Sequence, residues 1–219
     1  MRYLHVLAIG QSNLANHGAE AHQSAHGRCF DIGFDVRPLS DPIPGGTGSS
    51  GSIWPLVADR LRRDAPEMEF GLTLRAQGGT SVEDWAPGGA CHEILMETLL
   101  GRGTSVPLPT HVVWHQGERD TMLGTSSEAY RARFLLLHRA VQAFLSVPWI
   151  ICRASYRKGM TSDAVISAQE RLIAEMPDAV AGPNTDLLGS AFRHDDTHLN
   201  HQGQAAFARD LAEVLLHVS

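Results

Sequence analysis

Cysteine is scarce, with three residues in the chain, at positions 29, 91 and 152. An odd number at such wide spacing builds neither a disulfide framework nor a paired zinc-knuckle pattern, and it points to a reducing compartment. Long apolar runs are missing as well. The opening Met-Arg-Tyr-Leu-His-Val-Leu-Ala-Ile-Gly has strand character, carries no small-residue cleavage site and falls far short of the ~20 residues of a membrane span. A cytoplasmic location is therefore the expectation. No charge of one sign dominates, because 18 Lys and Arg against 24 Asp and Glu are interspersed to a net of -6. Such a balance leaves no electrostatic footprint for nucleic acid or for an anionic membrane, and it suits a small neutral or mildly polar partner. Repeats and low-complexity tracts are absent, and 219 residues suffice for one core, read as a single domain over 1–219.

What the chain does contain is alternation. Short apolar runs separated by helical patterns read as a parallel sheet covered by helices on both faces. Strands are predicted over residues 3–9, 67–75, 111–115 and 147–154, with a weaker one over 178–181. Helices are predicted over 53–63 after a Ser52 cap, and over 93–100, 127–145, 162–175 and 202–217. Residues 27–51, rich in Gly, Pro and Ser, read as one long irregular loop, a feature that usually serves as a lid or binding loop. Ligands of open parallel sheets bind beyond the carboxyl ends of the strands, so the residues after each strand are where chemistry is sought.

Gly10-Gln11-Ser12-Asn13 follows the first strand. A serine at a strand-to-helix turn has a nucleophile's position, since its N–H and the helix start can face a developing negative charge; serine is also a favoured N-cap. Gln77-Gly78-Gly79-Thr80-Ser81 follows the second strand, and its glycines allow a backbone N–H to approach a ligand, or simply make a turn. Trp114-His115-Gln116-Gly117-Glu118-Arg119-Asp120 closes the third. There Gln116 offers an amide donor, while Glu118, Arg119 and Asp120 form either a supporting salt-bridged loop or a solvated turn. Before the last helix, Asp195 precedes His198 by one turn, a spacing that lets the carboxylate hold Nδ1–H while Nε2 takes a hydroxyl proton. The alternatives there are a surface cluster or a metal site built from His194, Asp195, His198 and His201.

Other motifs compete. Gly46-Thr47-Gly48-Ser49-Ser50-Gly51 has the spacing of a dinucleotide loop, but Pro38, Pro42 and Pro44 rule out a buried strand before it, and a phosphate loop's lysine is lacking. No nucleotide and no other cofactor is expected. His17, His22 and His26 with Cys29 have roughly helical spacing, which suits surface histidines or a metal. Cys91 and Cys152 are candidate nucleophiles, although Cys152 falls in an apolar strand where a small buried hydrophobe is ordinary. Trp54 and Trp149 are expected in the core, and Trp85 either there or lining a substrate pocket.

At these segments the sequence resembles the SGNH (GDSL-like) hydrolases, and within them the branch of sialate O-acetylesterases and the acetylxylan esterases of carbohydrate esterase family six. The resemblance lies in Gly10-Gln11-Ser12-Asn13, in Gly78-Gly79-Thr80 with Trp85, in Gln116-Gly117-Glu118-x-Asp120 and in Asp195-x-x-His198. Asp41-Pro42 before Gly-rich sequence and the helix near Trp54 extend it over residues 5 to about 205. It implies a flavodoxin-like three-layer α/β/α sandwich with a five-stranded parallel sheet, and metal-free hydrolysis of a short acyl ester, acetyl above all, on a carbohydrate. By position it makes Ser12 the nucleophile, His198 the base and Asp195 its orienting carboxylate, with an oxyanion hole of the Ser12 and Gly78 N–H groups and the Gln116 side chain. Gln11, Asn13, Gly79, Thr80, Trp85, Glu118 and Asp120 would line or support the pocket. Asn16-His17-Gly18 departs from relatives that place glycine sooner after the serine. Rival readings are a non-catalytic carbohydrate-binding domain on this fold, and an esterase or thioesterase for lipid-like acyl esters. The polar, glycine-rich stretch 27–51 favours a polar substrate over the latter.

Overall fold

The computed structural model describes residues 2–30, 36–101 and 106–218. Its strands are β1 (Arg2–Gly10), β2 (Gln23–Phe30), β3 (Val36–Ser40), β4 (Met68–Ala76), β5 (His111–His115), β6 (Trp149–Arg153) and β7 (Ala179–Asn184). They form one sheet in the order β3-β2-β4-β1-β5-β6-β7. The expected runs are β1, β4, β5, β6 and β7, each parallel to its neighbours, and on their own they have the doubly wound order in which the chain reverses direction beside the first strand.

The sheet has seven strands rather than five because part of the stretch read as a loop is paired. β2 runs parallel to β4 and antiparallel to β3, which forms the edge. Neither added strand alternates cleanly. In β2 only Ser24, Cys29 and Phe30 are buried, and in β3 only Leu39, so no period-2 signal exists to find. Pro38 is tolerated in β3 because an edge strand can lack a ladder donor.

Seven α-helices are described: α1 (Trp54–Asp64), α2 (Val82–Trp85), α3 (Ala90–Leu100), α4 (Glu118–Leu123), α5 (Ser127–Gln142), α6 (Asp163–Glu175) and α7 (His201–Val218). Alternate β1 side chains point to opposite faces. Leu4, Val6 and Ala8 pack with α1 and α7, whereas Leu7 and Ile9 pack with α2, α3, α5 and α6, which gives the three layers. Trp54 and Trp149 are fully buried, and Trp54 Nε1 donates to the Leu14 carbonyl at 2.9 Å. Ser126 and Ser162 cap α5 and α6 by accepting from Ala129 N and Val165 N. Ser52 accepts from Trp54 N at 3.2 Å while donating to Asp41 at 2.6 Å, so the start of α1 is tied to the chain beyond β3. Among the described residues, no helix is long and apolar enough to cross a membrane.

Register positions the loops. Gly10 at the end of β1 is level with Ala76 of β4 and His115 of β5, so three chains leave the sheet side by side. A Cβ on Gly10 would lie 2.1 Å from the His115 carbonyl oxygen, and backbone cannot yield cheaply to that overlap. Gly79 adopts φ +76 with open space around its missing Cβ. We expect Gly10→Ala to lower unfolding free energy by about 3 kcal/mol and Gly79→Ala by about 1, measured by urea denaturation. The reverse order would contradict this packing.

Candidate active site

The three side-by-side loops are joined at their first residues. Gln11 N–H donates to the His115 carbonyl at 3.1 Å, and Gln77 N–H donates to that of Gly10 at 2.9 Å. Gln11 Oε1 then accepts from Gln116 Nε2, Gly117 N and Arg119 N at 3.2 to 3.4 Å. Ser12 begins a single 3-10 turn, Ser12–Leu14, and is 4% exposed. Among the described residues, neither its N–H nor its Oγ has a hydrogen-bond partner.

Asn13 carries the arrangement across to the C-terminal segment. Its Nδ2 donates to Glu118 Oε1 at 2.9 Å and to the Thr197 carbonyl at 3.2 Å, and its Oδ1 accepts from Leu199 N at 3.1 Å. Thr197 and Leu199 flank His198, so the side chain next to Ser12 grips the backbone on both sides of that histidine. His198 Nδ1 lies 2.6 Å from Asp195 Oδ2, and Asp195 Oδ1 accepts from His198 N at 2.6 Å and Thr197 N at 3.0 Å. Burial alone would raise the Asp195 carboxyl, but the bonds from His198 and Thr197 outweigh it and hold its pKa at about 2. Asp196 faces elsewhere: at φ 58 it accepts from the Tyr156 hydroxyl at 2.6 Å.

Two residues were not singled out for this site. His17 stacks on His198, with ring centroids 5.1 Å apart and planes 20° from parallel. Burial, and then the nearby His198 charge, lower its pKa, which favours a neutral ring. Its Nε2 lies 3.1 Å from Thr47 Oγ1, which accepts the Gly78 N–H at 2.7 Å. The expected Gly78 donor is therefore present at the site with its hydrogen bonded to Thr47. The only sequence mark of this arrangement was the Asn16-His17-Gly18 departure, since Thr47 arrives from a distant loop.

Gln116 differs from expectation. Its Nε2 donates to Asp120 Oδ2 at 2.6 Å and to the Thr80 carbonyl at 2.9 Å besides Gln11, and the side chain is fully buried. It is a brace between loops, with its amide hydrogens already engaged, rather than an exposed donor. Glu118 and Asp120 are likewise buried instead of forming a salt-bridged or solvated turn. Asp120 accepts from Val82 N at 2.9 Å and Thr125 Oγ1 at 2.8 Å, and burial raises both carboxyl pKa values. Trp85 resolves to packing: its Nε1 donates to Thr80 Oγ1 at 3.0 Å, and the ring meets Trp114 edge-on at 6.2 Å. It borders a cavity of about 40 Å³ with Gln77 and Cys91.

The competing motifs disperse. The 46–51 loop folds against Asn16, with Asn16 N donating to the Thr47 carbonyl and Thr47 N to that of Ala76, both at 2.9 Å. His17, His22, His26 and Cys29 do not assemble into one group among the described residues, and His201 stands apart from His194, Asp195 and His198. Burial pushes the Cys91 thiol up to about 11 and the Cys152 thiol higher still, which suits neither to nucleophilic attack.

Residues 54–217 match the family described as carbohydrate esterase, sialic acid-specific acetylesterase. The chain belongs to this family. It is a carboxylic ester hydrolase. The matched span takes in the Gly78, Gln116 and Asp195 segments, and Ser12 lies before it. A protein from Arabidopsis thaliana superposes with a TM-score of 0.75 at 18% identity, over 97% of this chain and 98% of that one. A carbohydrate acetylesterase from Xanthomonas citri gives 0.72 at 17%, over 98% of the esterase and 56% of that chain. A catalytic mutant of an acetylxylan esterase from Geobacillus stearothermophilus gives 0.63 at 16%, over 97% and 94%. At these identities the likeness is one of fold. No curated protein matches the chain.

The depressed Asp195 pKa fixes the sign of one pH effect. A carboxyl lowered from 3.8 to about 2 by folding contributes stability that is present above pH 4 and lost as pH falls toward 2. Asp195→Asn in the esterase should flatten that part of the stability profile, followed by urea midpoints at pH 4, 3 and 2. An unchanged profile would contradict the Asp195–His198 interaction.

Proposed function

We propose that this esterase removes short acyl groups, acetyl first, from a hydroxyl of a carbohydrate, through Ser12, His198 and Asp195 within one domain. The observation that carries the reading is the Asn13 bridge. It ties the residue after Ser12 to both neighbours of His198, while Asp195 holds Nδ1 and so leaves Nε2 as the nitrogen available to take a proton. The family and the carbohydrate acetylesterase among its structural neighbours support the substrate class.

In this mechanism His198 Nε2 takes the Ser12 proton as Oγ attacks the ester carbonyl, and the Asp195 carboxylate stabilises the imidazolium. The Ser12–His198 hydrogen bond forms as substrate fills the site, since catalytic hydrogen bonds often close only in the substrate complex. Ser12 N–H, free of an internal acceptor, meets the oxyanion first. Gly78 N–H joins it when the substrate oxygen displaces Thr47 Oγ1. Gln116 acts by holding Gln11 and the third loop in place. His198 then gives its proton to the departing sugar hydroxyl, and a water activated by the same nitrogen releases the acid. His17 keeps a neutral face against the imidazolium that forms in both halves of the cycle.

Hydrolysis of p-nitrophenyl acetate, butyrate and octanoate tests the reading. Acetate should be the best of the three, and Ser12→Ala and His198→Ala should each lower kcat by about 10⁴-fold or more, with Asp195→Asn somewhat less severe. An acetylated sialic acid and an acetylated xylo-oligosaccharide then separate the sugar classes. Full activity in Ser12→Ala would refute the nucleophile, and an inactive wild type that binds sugar would favour a binding domain.

A further inference from the structure

Two of the histidines outside the site, His22 and His201, lie together. Glu20 and His22 lie on the segment after Ser12–Leu14, and His201 is the first residue of α7. Glu20 Oε2 stands 3.2 Å from His201 Nδ1, the His22 and His201 rings are 5.7 Å apart, and one ligand atom from each of the three falls within 4.8 Å of the others. For Zn²⁺ with bonds of about 2.0 to 2.1 Å, tetrahedral geometry sets ligand atoms roughly 3.4 Å apart. The Glu20–His201 pair already spans such an edge, and His22 closes the triangle by a small side-chain turn.

His22 Nε2 is buried with no hydrogen-bond partner among the described residues. A buried imidazole nitrogen left in that state carries a desolvation cost that a metal bond would remove. The backbone beneath the three residues is fixed from both sides. Gln204, one turn along α7 from His201, accepts from Glu20 N at 3.3 Å and donates to the Glu20 carbonyl at 3.0 Å. Asp41 accepts from His22 N, and its own N–H donates to the His22 carbonyl, both at 2.9 Å. Pre-placed ligands of this kind lose little entropy on binding.

We propose that Glu20, His22 and His201 form a binding site for a first-row divalent cation, Zn²⁺ foremost, with water completing the coordination. Two imidazoles and one carboxylate suit Zn²⁺ and exclude Mg²⁺ and Ca²⁺, which take oxygen ligands. Glu20 and His201 side chains are 59% and 56% exposed, so the open positions face solvent. The site shares no residue with Ser12, Asp195 or His198. The bound ion clips the segment that follows the Ser12 turn to the start of α7, and its role is to stiffen that junction.

The test uses chelator-treated full-length protein, titrated with Zn²⁺ by calorimetry and followed by thermal denaturation. A His194→Ala/His198→Ala background removes the other group of metal-capable side chains among the described residues. One Zn²⁺ should bind per chain in that background, raising Tm by about 5 to 10 °C at a hundredfold excess over Kd. Mg²⁺ should give no shift. Adding His22→Ala should abolish binding, and Glu20→Gln, an exposed change that spares the fold, should weaken it at least tenfold. Zn²⁺ binding that is absent in the background, or that survives His22→Ala or Glu20→Gln unchanged, overturns the proposal.

Discussion

Asn13 donates to Glu118 and to the Thr197 carbonyl and accepts from Leu199 N, and on these three bonds the spacing of the candidate site rests. Each is worth about 1 kcal/mol while paired, and leaving a buried partner unpaired costs about 1 to 3. Their larger effect is geometric. Ser12 and His198 come from opposite ends of the chain, and nothing in the sheet itself fixes their separation. Asn13 does so together with the Ala19 N–H bond to the Leu199 carbonyl and the His17 stack on His198, and Gly10 lets β1 end against the His115 carbonyl, which brings the first and third loops close enough for Glu118 to orient the amide.

The ionisable groups around this bridge are sorted by environment. Glu118 and Asp120 are buried, their pKa values are raised, and they serve as acceptors for Asn13, Gln116 and Val82 N. Asp195 is more exposed and is held at about 2, so it remains ionised beside His198, as the proposed mechanism requires. His115 is buried behind the third loop, pushed down to about 4 by burial and by the Arg193 charge, with its Nε2 against Thr185. His17 is also lowered. Of these three imidazoles, His198 is the one hydrogen-bonded to a carboxylate, and that difference supports the proton-transfer role proposed for it.

The central strands could be read from the sequence because each is a mainly apolar run, as buried parallel strands are. β2 and β3 were hidden by exposure and by Pro38, and α2 and α4 by their brevity. At the site, Asp195 and His198 were legible because one turn separates them, and Ser12 because it follows a strand. The Thr47–Gly78 bond and the His17 stack join distant segments and leave no local pattern. Gln116 could be read from the sequence as an amide donor at the end of the third strand. The three acceptors that engage its amide, on Gln11, Thr80 and Asp120, converge only in the fold.

The central claim is that Ser12 is a nucleophile activated by His198. Treating the protein with a fluorophosphonate and locating the adduct by peptide mass spectrometry examines that claim without assuming any substrate. The account predicts one adduct per chain, on the peptide containing Ser12, formed by wild type and lost in His198→Ala. An adduct on another residue, or labelling of Ser12 at an undiminished rate in His198→Ala, would contradict it.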